Sequence, residues 1–282
     1  MTADQSASED TYPVRALKGH GTENDFVLLP DLDGALELTE ALVRSLCDRH
    51  AGIGADGVLR VVRTALAGEP EVQRQADVAE FFMDYRNADG SLAEMCGNGV
   101  RVFARYLHDA GLIGDSATIA TRGGPKPVTL TRNQVSVDMG VAVRGNERPV
   151  VAGRYQAVAY SLPNPHVVVE LDSLAELAAL DLSTAPLVQP ALPGGQNVEF
   201  FVRTGPGRLQ MRVHERGVGE TRSCGTGICA VAAAAGDGPW QISVPGGSCQ
   251  VAPNDAGGLT LTGPAELVAE LHLDRAWLAR HR

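Results

Sequence analysis

The sequence lacks the features that mark membrane proteins, nucleic-acid binders and secreted proteins. No apolar run approaches the roughly 20 residues that a membrane-spanning helix needs, since even the Ala-rich stretch at 230–235 is far shorter. Basic residues are few, with 24 Lys+Arg against 34 Asp+Glu and a formal net charge of -10, which argues against nucleic acid or a membrane surface as a partner. Residues 1–10 are acidic and polar, which predicts a short tail instead of a signal peptide, and a cytoplasmic protein.

Cofactor and metal motifs are missing as well. The chain has no P-loop and no G-x-G-x-x-G run, and its only lysines, Lys18 and Lys126, stand in no context typical of pyridoxal phosphate. Five cysteines occur without a C-x-x-C pair, which removes the commonest zinc and thioredoxin-type sites. An odd count in a non-secreted chain does not suggest a disulfide framework. We therefore expect no cofactor and no metal, and the question becomes which thiols are reactive.

The composition is that of a globular, sheet-rich protein. A length of 282 residues suits two domains, and 44% hydrophobic with 21% charged residues is close to the average for folded proteins. One helix is predicted at 38–50, with Thr39 as its N-cap, and a short one at 173–180. Apolar and β-branched runs predict strands at 14–18, 26–29, 58–62, 79–85, 118–121, 128–131, 135–139, 155–161, 166–171, 198–203, 209–214, 241–244 and 259–262.

The two halves of the chain share one unusual order of features. Cys96 and Cys224 each open a Cys-Gly-x-Gly turn that leads into a predicted helix, then a strand, a Gly-Gly turn and another strand. A polar residue at the end of a strand, Asn87 or Glu215, stands nine positions before each cysteine. A shared order of this length is difficult to obtain by chance, so it indicates a duplicated domain.

A cysteine at a Gly-rich helix start has chemical consequences. The unpaired N–H groups and the positive end of the helix dipole bind anions, and thiols at such positions have pKa values of roughly 3.5–7.5 against about 8.5 for a free thiol. We therefore predict lowered pKa values for Cys96 and Cys224. Inverting a carbon centre needs one group to remove a proton and a second to donate one on the opposite face. The thiol pair thus predicts a cofactor-independent racemase or epimerase.

Seven short motifs also occur along the chain in a distinctive order. They are Glu23-Asn24-Asp25-Phe26, Arg49-His50 with Gly52-Ile53-Gly54-Ala55-Asp56-Gly57, Asn87-Ala88-Asp89-Gly90-Ser91, Met95-Cys96-Gly97-Asn98-Gly99, Asn164-Pro165-His166, Glu215-Arg216-Gly217 and Cys224-Gly225-Thr226-Gly227. In this order they resemble the diaminopimelate epimerase family, over nearly the whole chain from about residue 14. The ordered set is far more specific than any single motif.

The resemblance implies an α+β fold of two pseudo-symmetric domains, each a β-barrel-like mixed sheet around a central helix, with the active site in the cleft between them. We expect residues 1–139 to carry Cys96, residues 140–265 to carry Cys224, and the segment from about 266 to 282 to return to the first domain. The implied activity is the interconversion of LL- and meso-diaminopimelate for lysine and peptidoglycan precursor biosynthesis. A small-molecule amino-acid substrate and a homodimer are implied as well.

The resemblance also implies the roles of single residues. Cys96 and Cys224 would be the acid/base pair, supported by His166 and Glu215, and we expect His166 to orient Cys96. Arg216 and the asparagines would hold the distal aminocarboxylate of the substrate. The implied substrate-binding positions are Asn24, Asn87, Gly97, Asn98, Asn164, Asn197, Glu215, Arg216, Gly225 and Thr226.

Two positions depart from the family pattern, and three cysteines have a structural interpretation. Glu23 stands where many members have glycine, and Gly57 replaces a glutamine that contributes to the pocket in some members. Cys47 lies on the apolar face of a predicted helix, and Cys249 has no apparent chemistry. Cys229 follows Cys224 by five residues, a rotation of roughly 140° on a helix, so we expect it to point away from the site.

Three other functions stay open at this point. A proline or hydroxyproline racemase would use two cysteines on a similar fold, although Asn98, Arg101 and Arg216 favour a substrate with two polar ends. A thiol redox sensor would join Cys96 and Cys224 in a reversible disulfide. A catalytically inactive binding module of the same fold would not need both thiols. The amino acid whose α-proton exchanges with solvent discriminates among these.

Overall fold

The computed structural model describes residues 15–162 and 164–281. Its strands are β1 Arg15–Gly21, β2 Asn24–Pro30, β3 Gly57–Arg63, β4 Phe81–Asn87, β5 Ser116–Ala120, β6 Lys126–Leu130, β7 Val135–Gly140, β8 Val143–Arg144, β9 Val150–Val151, β10 Tyr155–Gln156, β11 Val158–Ser161, β12 Pro165–Glu170, β13 Val188–Gln189, β14 Asn197–Gly205, β15 Arg208–Glu215, β16 Gly219–Thr221, β17 Trp240–Val244, β18 Gly247–Pro253, β19 Leu259–Gly263 and β20 Glu266–His272. Its helices are α1 Glu40–Cys47, α2 Pro70–Gln73, α3 Gly97–Asp109, α4 Leu174–Ala179, α5 Gly225–Ala235 and α6 Arg275–Ala279, with a 3₁₀ turn at Thr64–Leu66. Within the described residues, no helix is long and apolar enough to cross a membrane.

The strand pairings repeat from one half of the chain to the other. In the first half β1 and β2 form a hairpin, β3 joins β2 in parallel, β4 pairs antiparallel with β3, and β5 joins β4 in parallel. The second half has the same series of pairings in β11, β12, β14, β15 and β17. An antiparallel meander then ends each half, β5–β6–β7 in the first and β17–β18–β19 in the second. This repeat confirms the predicted duplication and the two pseudo-symmetric halves of an α+β fold.

The two halves are joined through their last strands. β8 follows the first half along the chain but pairs with β11 of the second, and β20 follows the second half but pairs with β1 of the first. β7 and β19 also pair antiparallel, with Val137 opposite Leu261. The C-terminal strand therefore lies beside the first strand, where we expected the segment from about 266 to return. The division at 139, 140 and 265 stays a prediction.

One helix in each half is enclosed by the sheet. α3 is buried at every position from Gly97 to Leu107, and α5 at every position from Gly225 to Ala232. Both helices belong to one apolar cluster that includes strands of both halves. A helix buried on all sides has no need of a polar face, which explains the run of alanines and other small residues in α5. The sheet thereby fixes the position of both helix N-termini.

Most predicted strands are present with bounds that differ by a few residues, and the misses have physical reasons. The helix predicted at 38–50 is the shorter α1, and Thr39 is its N-cap, accepting a hydrogen bond from the N–H of Leu42 at 3.1 Å. The strand predicted at 155–161 is divided into β10 and β11. β20 escaped prediction because most of its residues are exposed or half-buried, without the alternation of a typical strand. The predicted tail at 1–10 lies outside the described residues.

Candidate active site

The N-termini of α3 and α5 meet end to end, glycine against glycine. A Cβ atom at Gly225 would lie 3.1 Å from the Cα of Gly97 and 3.3 Å from the backbone nitrogen of Asn98. Only residues without side chains allow two helix ends to come this close. The approach brings together the two Cys-Gly-x-Gly turns, which lie 128 positions apart in the sequence (224 − 96). Both helix ends therefore meet where the two halves of the chain contact each other.

Each helix is capped by its cysteine. The Cys96 sulfur accepts a hydrogen bond from the N–H of Gly99 at 3.4 Å, and the Cys224 sulfur accepts one from the N–H of Gly227 at the same distance. The thiol of Cys96 donates in turn to Oδ1 of Asn24 at 3.6 Å. Both thiols thus occupy the position of a helix N-cap, where side chains that accept hydrogen bonds are preferred.

The prediction of lowered thiol pKa values is wrong for this conformation. Burial raises the pKa of Cys96 to about 11, although the N–H of Gly99 acts in the opposite direction. Burial also raises the pKa of Cys224 well above its ordinary value, and the nearby carboxylates of Glu215 and Glu199 raise it further. The free-energy cost of moving a thiolate out of water is larger than the stabilisation that the helix N-terminus gives it. The raised pKa values favour the thiol form of both sulfurs, so a proton acceptor is needed to activate either one.

Glu215 lies at the end of β15, close enough to both thiols for its charge to raise their pKa values. Its carboxylate accepts a hydrogen bond from the hydroxyl of Thr221. Burial raises the pKa of Glu215, although Thr221 and the Cys224 thiol act in the opposite direction. A carboxyl group with a raised pKa beside a thiol is a proton acceptor suited to neutral pH. The structure thus places Glu215 where the sequence expected a carboxylate that tunes Cys224.

His166 belongs to the surroundings of Cys224. Its Nε2 lies 3.0 Å from Oδ1 of Asn164, whose amide nitrogen donates to the hydroxyl of Thr226 at 3.2 Å. That hydroxyl lies 3.5 Å from the Cys224 sulfur. The contacts of His166 therefore lead to Cys224, whereas the sequence led us to expect that it orients Cys96. Its Nδ1 lies 2.7 Å from Oε1 of Glu199, a residue that the sequence did not point out.

Asn24 and Asn98 connect the Cys96 side to the opposite half. Oδ1 of Asn24 accepts from the Asn98 amide at 3.2 Å, and its amide nitrogen donates to Asp56 at 2.7 Å. The Asn98 amide also donates to the carbonyl of Ser223 at 3.1 Å, directly before Cys224. These bonds fix the amide groups beside the Cys96 thiol. Because the bond from Asn98 to Ser223 crosses between the halves, it also holds the two helix ends in a fixed relative position.

The substrate-binding positions predicted at Arg216, Asn197 and Asn87 lie at strand ends. Oδ1 of Asn197 accepts from the N–H of Arg216 at 2.9 Å, and the exposed guanidinium of Arg216 donates to the carbonyl of Gly194 at 2.8 Å. Asn87 ends β4, as Glu215 ends β15, and its amide donates to Ser91 at 3.0 Å. Asn87 is therefore the pseudo-symmetric counterpart of Glu215, as the nine-residue spacing indicated.

Arg101 does not serve the role that the sequence suggested. Its side chain is fully buried and donates to the hydroxyl of Thr22 and to the carbonyl of Pro264, each at 3.2 Å. It therefore joins segments of the scaffold, and its charge lowers the pKa of Cys96. Glu23, one of the two departures from the family pattern, forms an ion pair with Arg222 across the two halves.

Gly57, the second departure, has no room for a side chain. A Cβ atom there would lie 2.5 Å from the carbonyl oxygen of Arg86 and 2.7 Å from the ring of Tyr85. The Tyr85 ring, which packs edge-to-face on Phe26 at 5.9 Å, occupies that side of the strand. The absence of the glutamine is thus explained by local packing against β4.

We expect Gly57→Ala to destabilise the protein by about 1–3 kcal/mol, because a methyl group would press on a backbone carbonyl in a packed core. Urea unfolding measures the difference. Gly68→Ala is the matched control, since a Cβ at Gly68 would have nothing within 4 Å. Equal stability of the two variants would contradict the packing explanation.

The remaining cysteines are buried, as the sequence predicted for Cys47 and Cys229. Cys47 is the last residue of α1 and is buried in the core, Cys229 is buried in α5, and Cys249 is buried in β18. All five cysteines are free thiols in the structure. In the part of the chain that is described, no group of three or more His, Cys, Asp or Glu side chains is arranged to hold a metal ion.

Comparison with known proteins identifies the family of this chain. The sequence profile of the diaminopimelate epimerase family matches residues 16–145 and 158–268. The chain belongs to the diaminopimelate epimerase family. It is 52% identical over 268 residues to the diaminopimelate epimerase of Thermobifida fusca, covering 91% of this chain and 97% of that protein. It is 50% identical over 285 residues to the diaminopimelate epimerase of Streptomyces coelicolor, covering 94% and 97%.

Solved structures with little sequence similarity share the fold. A phenazine biosynthesis protein of the PhzF family from Bacillus anthracis aligns with a TM-score of 0.67 at 15% identity, covering 91% of this chain and 97% of that one. A probable proline racemase from Agrobacterium radiobacter aligns with a TM-score of 0.64 at 16% identity, covering 92% of both chains. These likenesses confirm the two-domain fold and carry no conclusion about substrate. Epimerase membership rests on the sequence relatives.

Proposed function

We propose that this epimerase interconverts LL- and meso-diaminopimelate without a cofactor and serves lysine and peptidoglycan precursor biosynthesis. Membership of the family and 52% identity to a relative named diaminopimelate epimerase support this substrate. The observation that carries the mechanism is the meeting of two helix N-termini, each capped by a cysteine thiol. Two matched acid/base groups around one cleft are what the inversion of a carbon centre needs.

Cys96 and Cys224 are proposed to act on opposite faces of the α-carbon. One sulfur, as thiolate, takes the α-proton, and the electron pair of the broken C–H bond delocalises into the substrate carboxylate. The other thiol then donates its proton to the opposite face, so that a thiol and a thiolate are again present with their places exchanged. The N–H groups in the first turns of α3 and α5 are directed towards the carboxylate, where they stabilise the developing charge. The reverse reaction uses the same groups in exchanged roles.

Glu215 is proposed as the group that receives the thiol proton. It lies close enough to the Cys224 thiol for each group to shift the pKa of the other, and burial raises the pKa values of both thiols. Transfer of the Cys224 proton to the carboxylate creates the thiolate and leaves the total charge of the site unchanged. A carboxylate acceptor within the site thus avoids exposing the thiolate to water.

The distal aminocarboxylate is proposed to bind at Arg216. A guanidinium has five N–H donors, so the bond from Arg216 to Gly194 leaves enough of them for a bidentate carboxylate. Asn197 holds the backbone of Arg216 and thereby its direction. The other proposed substrate contacts are Asn24, Asn87, Gly97, Asn98, Asn164, Gly225 and Thr226.

The proposed role of Glu215 predicts a pH dependence with a definite sign. Below its pKa, which burial raises above the ordinary 4.5, Glu215 carries a proton and cannot accept one from Cys224. In the direction in which Cys224 takes the α-proton, we expect kcat/KM to fall about tenfold per pH unit below this raised pKa. On the alkaline side it falls again near the pKa of about 11 at which Cys96 loses its proton. A rate that stays constant down to pH 4.5 in folded protein would contradict this role.

An exchange experiment tests the substrate. LL-diaminopimelate, meso-diaminopimelate, L-proline, hydroxyproline and L-glutamate are incubated in D₂O with reduced protein, and the α-proton and the configuration are followed by NMR and chiral chromatography. Inversion of diaminopimelate alone supports the proposal. Inversion of a proline substrate, the alternative on a similar fold, retains the mechanism and overturns the substrate. Absence of exchange with every substrate overturns the enzymatic proposal and favours the thiol redox sensor.

A homodimer and a cytoplasmic location complete the proposal. The homodimer is supported by the family resemblance, and sedimentation equilibrium tests it. The location is supported by the five free thiols, because thiols persist in reducing compartments.

A further inference from the structure

A buried ion pair lies beneath the helix that carries Cys224. Glu199, the third residue of β14, and His166, the second residue of β12, are both fully buried, with Oε1 2.7 Å from Nδ1. Among the described residues no hydrogen-bond donor reaches the second carboxylate oxygen of Glu199. Oε1 lies so close under α5 that a Cβ at Gly227 would be 2.7 Å from it. Burying a carboxylate costs folding free energy, and the proposed proton transfer does not use the carboxylate of Glu199.

The first half shows that the fold does not require the ion pair. Strand register places Phe26 opposite Gly57 as it places His166 opposite Asn197, so the counterparts of His166 and Glu199 are Phe26 and Leu59. These two apolar side chains pack under Gly99 of α3, as Glu199 packs under Gly227 of α5. One thiol-bearing helix therefore rests on an apolar pair and the other on a charged pair. An apolar pair fills the space beneath the helix in the first half, so packing alone does not explain the charged pair in the second half. Its explanation lies in the chemistry of Cys224.

The hydrogen bonds of His166 determine where its protons are. Nδ1 faces the carboxylate of Glu199, and Nε2 faces the carbonyl oxygen of the Asn164 side chain at 3.0 Å, because the amide nitrogen of that side chain donates to Thr226. Both partners are acceptors, so both ring nitrogens donate. Both ring nitrogens of His166 thus face oxygen atoms that accept hydrogen bonds, with the carboxyl group of Glu199 at Nδ1.

The hydrogen bonds that connect His166 to the Cys224 sulfur all have their donors on the side of His166. The Asn164 amide donates to the Thr226 oxygen at 3.2 Å, which leaves the Thr226 hydroxyl proton to be donated to the Cys224 sulfur at 3.5 Å. Every donor from His166 onward therefore points towards the Cys224 sulfur. A hydroxyl that donates to the sulfur stabilises the thiolate that forms when the thiol proton leaves.

We propose that Glu199 is a positioning residue for Cys224: its carboxylate keeps both ring nitrogens of His166 protonated and thereby fixes the direction of the hydrogen bonds through Asn164 and Thr226 to the sulfur. The inference rests on the proposed function of the two thiols and adds a residue to it. It also gives the two thiols different surroundings, since the corresponding residues in the first half are apolar.

Glu199→Gln tests the proposal with little change of shape. The substitution removes the carboxylate charge that raises the pKa of Cys224. Because we expect the His166 ring to lose one proton as well, the net charge of the pair stays the same. The remaining effect is on the hydrogen bonds of His166, whose direction is no longer fixed, because a glutamine amide can either accept from His166 or donate to it. We expect one ring nitrogen of His166 to lose its proton, and the reactivity of Cys224 to fall about 2- to 10-fold, the weight of one hydrogen bond. We expect kcat to fall about tenfold, the lower end of losses for outer partners that orient a reacting group in metal sites.

Two measurements on the protein without substrate decide the matter. The ¹⁵N NMR spectrum of His166 reports whether each ring nitrogen carries a proton. Alkylation by iodoacetamide, mapped by mass spectrometry, gives the rate at Cys224 relative to Cys96, which serves as an internal reference. Glu170→Gln is the control, since it removes an exposed carboxylate from the end of the same strand as His166. An unprotonated ring nitrogen in the wild type, or an unchanged rate ratio in Glu199→Gln, would overturn the proposal.

A double variant separates positioning from packing. His166→Phe with Glu199→Leu gives the second half the apolar pair of the first, and replacing a buried ion pair by apolar residues is often neutral or stabilising. We expect its melting temperature to equal or exceed that of the wild type, while the Cys224 to Cys96 ratio falls as in Glu199→Gln. If the ratio of alkylation rates at Cys224 and Cys96 stayed at the wild-type value, His166 and Glu199 would serve packing only, and the proposal would be refuted. Because these readouts need no turnover, a failure of the proposed substrate leaves them interpretable.

Discussion

Replacing Cys96 or Cys224 by serine is expected to reduce the interconversion of LL- and meso-diaminopimelate by about 10³-fold or more, within the range for removal of a general acid or base. A serine hydroxyl keeps the N-cap bond to Gly99 or Gly227 but is a far weaker acid than a thiol. Each variant retains one acid/base group, so exchange of the α-proton with solvent can persist while inversion cannot. Inversion, followed by chiral chromatography, is therefore the measurement.

The control for both variants is Cys229→Ala. Cys229 is on the same helix as Cys224 but is fully buried in the core. We expect its rate of inversion to change less than about twofold, with a stability loss of about 1 kcal/mol for the lost packing. The two-thiol mechanism would be contradicted by a Cys96→Ser or Cys224→Ser variant that inverts diaminopimelate at more than about a tenth of the wild-type rate.

Gly225→Ala is expected to lower kcat/KM by about tenfold in a protein that still folds. The added Cβ would lie 3.1 Å from the Cα of Gly97 and 3.3 Å from the backbone nitrogen of Asn98. Since both atoms are backbone, the two helix ends must move apart by some tenths of an ångström, and a misplacement of reacting groups by about 1 Å costs about 100-fold in rate. The methyl group itself favours the helix by up to about 1 kcal/mol. Thermal unfolding beside steady-state kinetics separates the two effects.

Gly97→Ala provides the contrast. A Cβ there would meet the ends of two side chains, Cε of Met139 at 2.9 Å and Cδ2 of Leu261 at 3.2 Å. Side-chain ends can rotate away where backbone cannot, so we expect a smaller loss of kcat/KM than in Gly225→Ala. If the two variants lost equal activity, or if Gly225→Ala retained full activity, the end-to-end approach of the helices would not be what positions the thiols.

Local patterns in the sequence predicted much of the fold and the centre of the site. Thr39 was identified as an N-cap because capping depends on residues only three positions apart. The two Cys-Gly-x-Gly turns and the polar residues nine positions before them predicted the duplication, because each half repeats the same local order. β20 was missed because its partner β1 lies more than 200 residues away and most of its own side chains are not buried. β20 is stabilised by its pairing with β1, so its own sequence carries no periodic hydrophobic pattern.

The environment of the thiols was not predictable from the same patterns. The helix N-terminus is a local feature, and it suggested low pKa values, but burial by both halves decides the outcome and raises them. Glu199 left one signal, a single acid within the apolar run Val198–Val202 of β14. Its partner His166 is 33 positions away, and only the parallel pairing of β12 with β14 brings the two together.

The sequence by itself determined the family, the duplicated halves and the two cysteines at helix starts, since all of these follow from the order of residues over short distances. Tertiary structure alone decided how the two helix ends meet, which thiol the contacts of His166 reach, and how burial shifts the pKa values of the thiols. The physical reason is that electrostatic effects in a buried site depend on every group within a few ångströms. In this protein those groups come from strands of both halves, far apart in the chain.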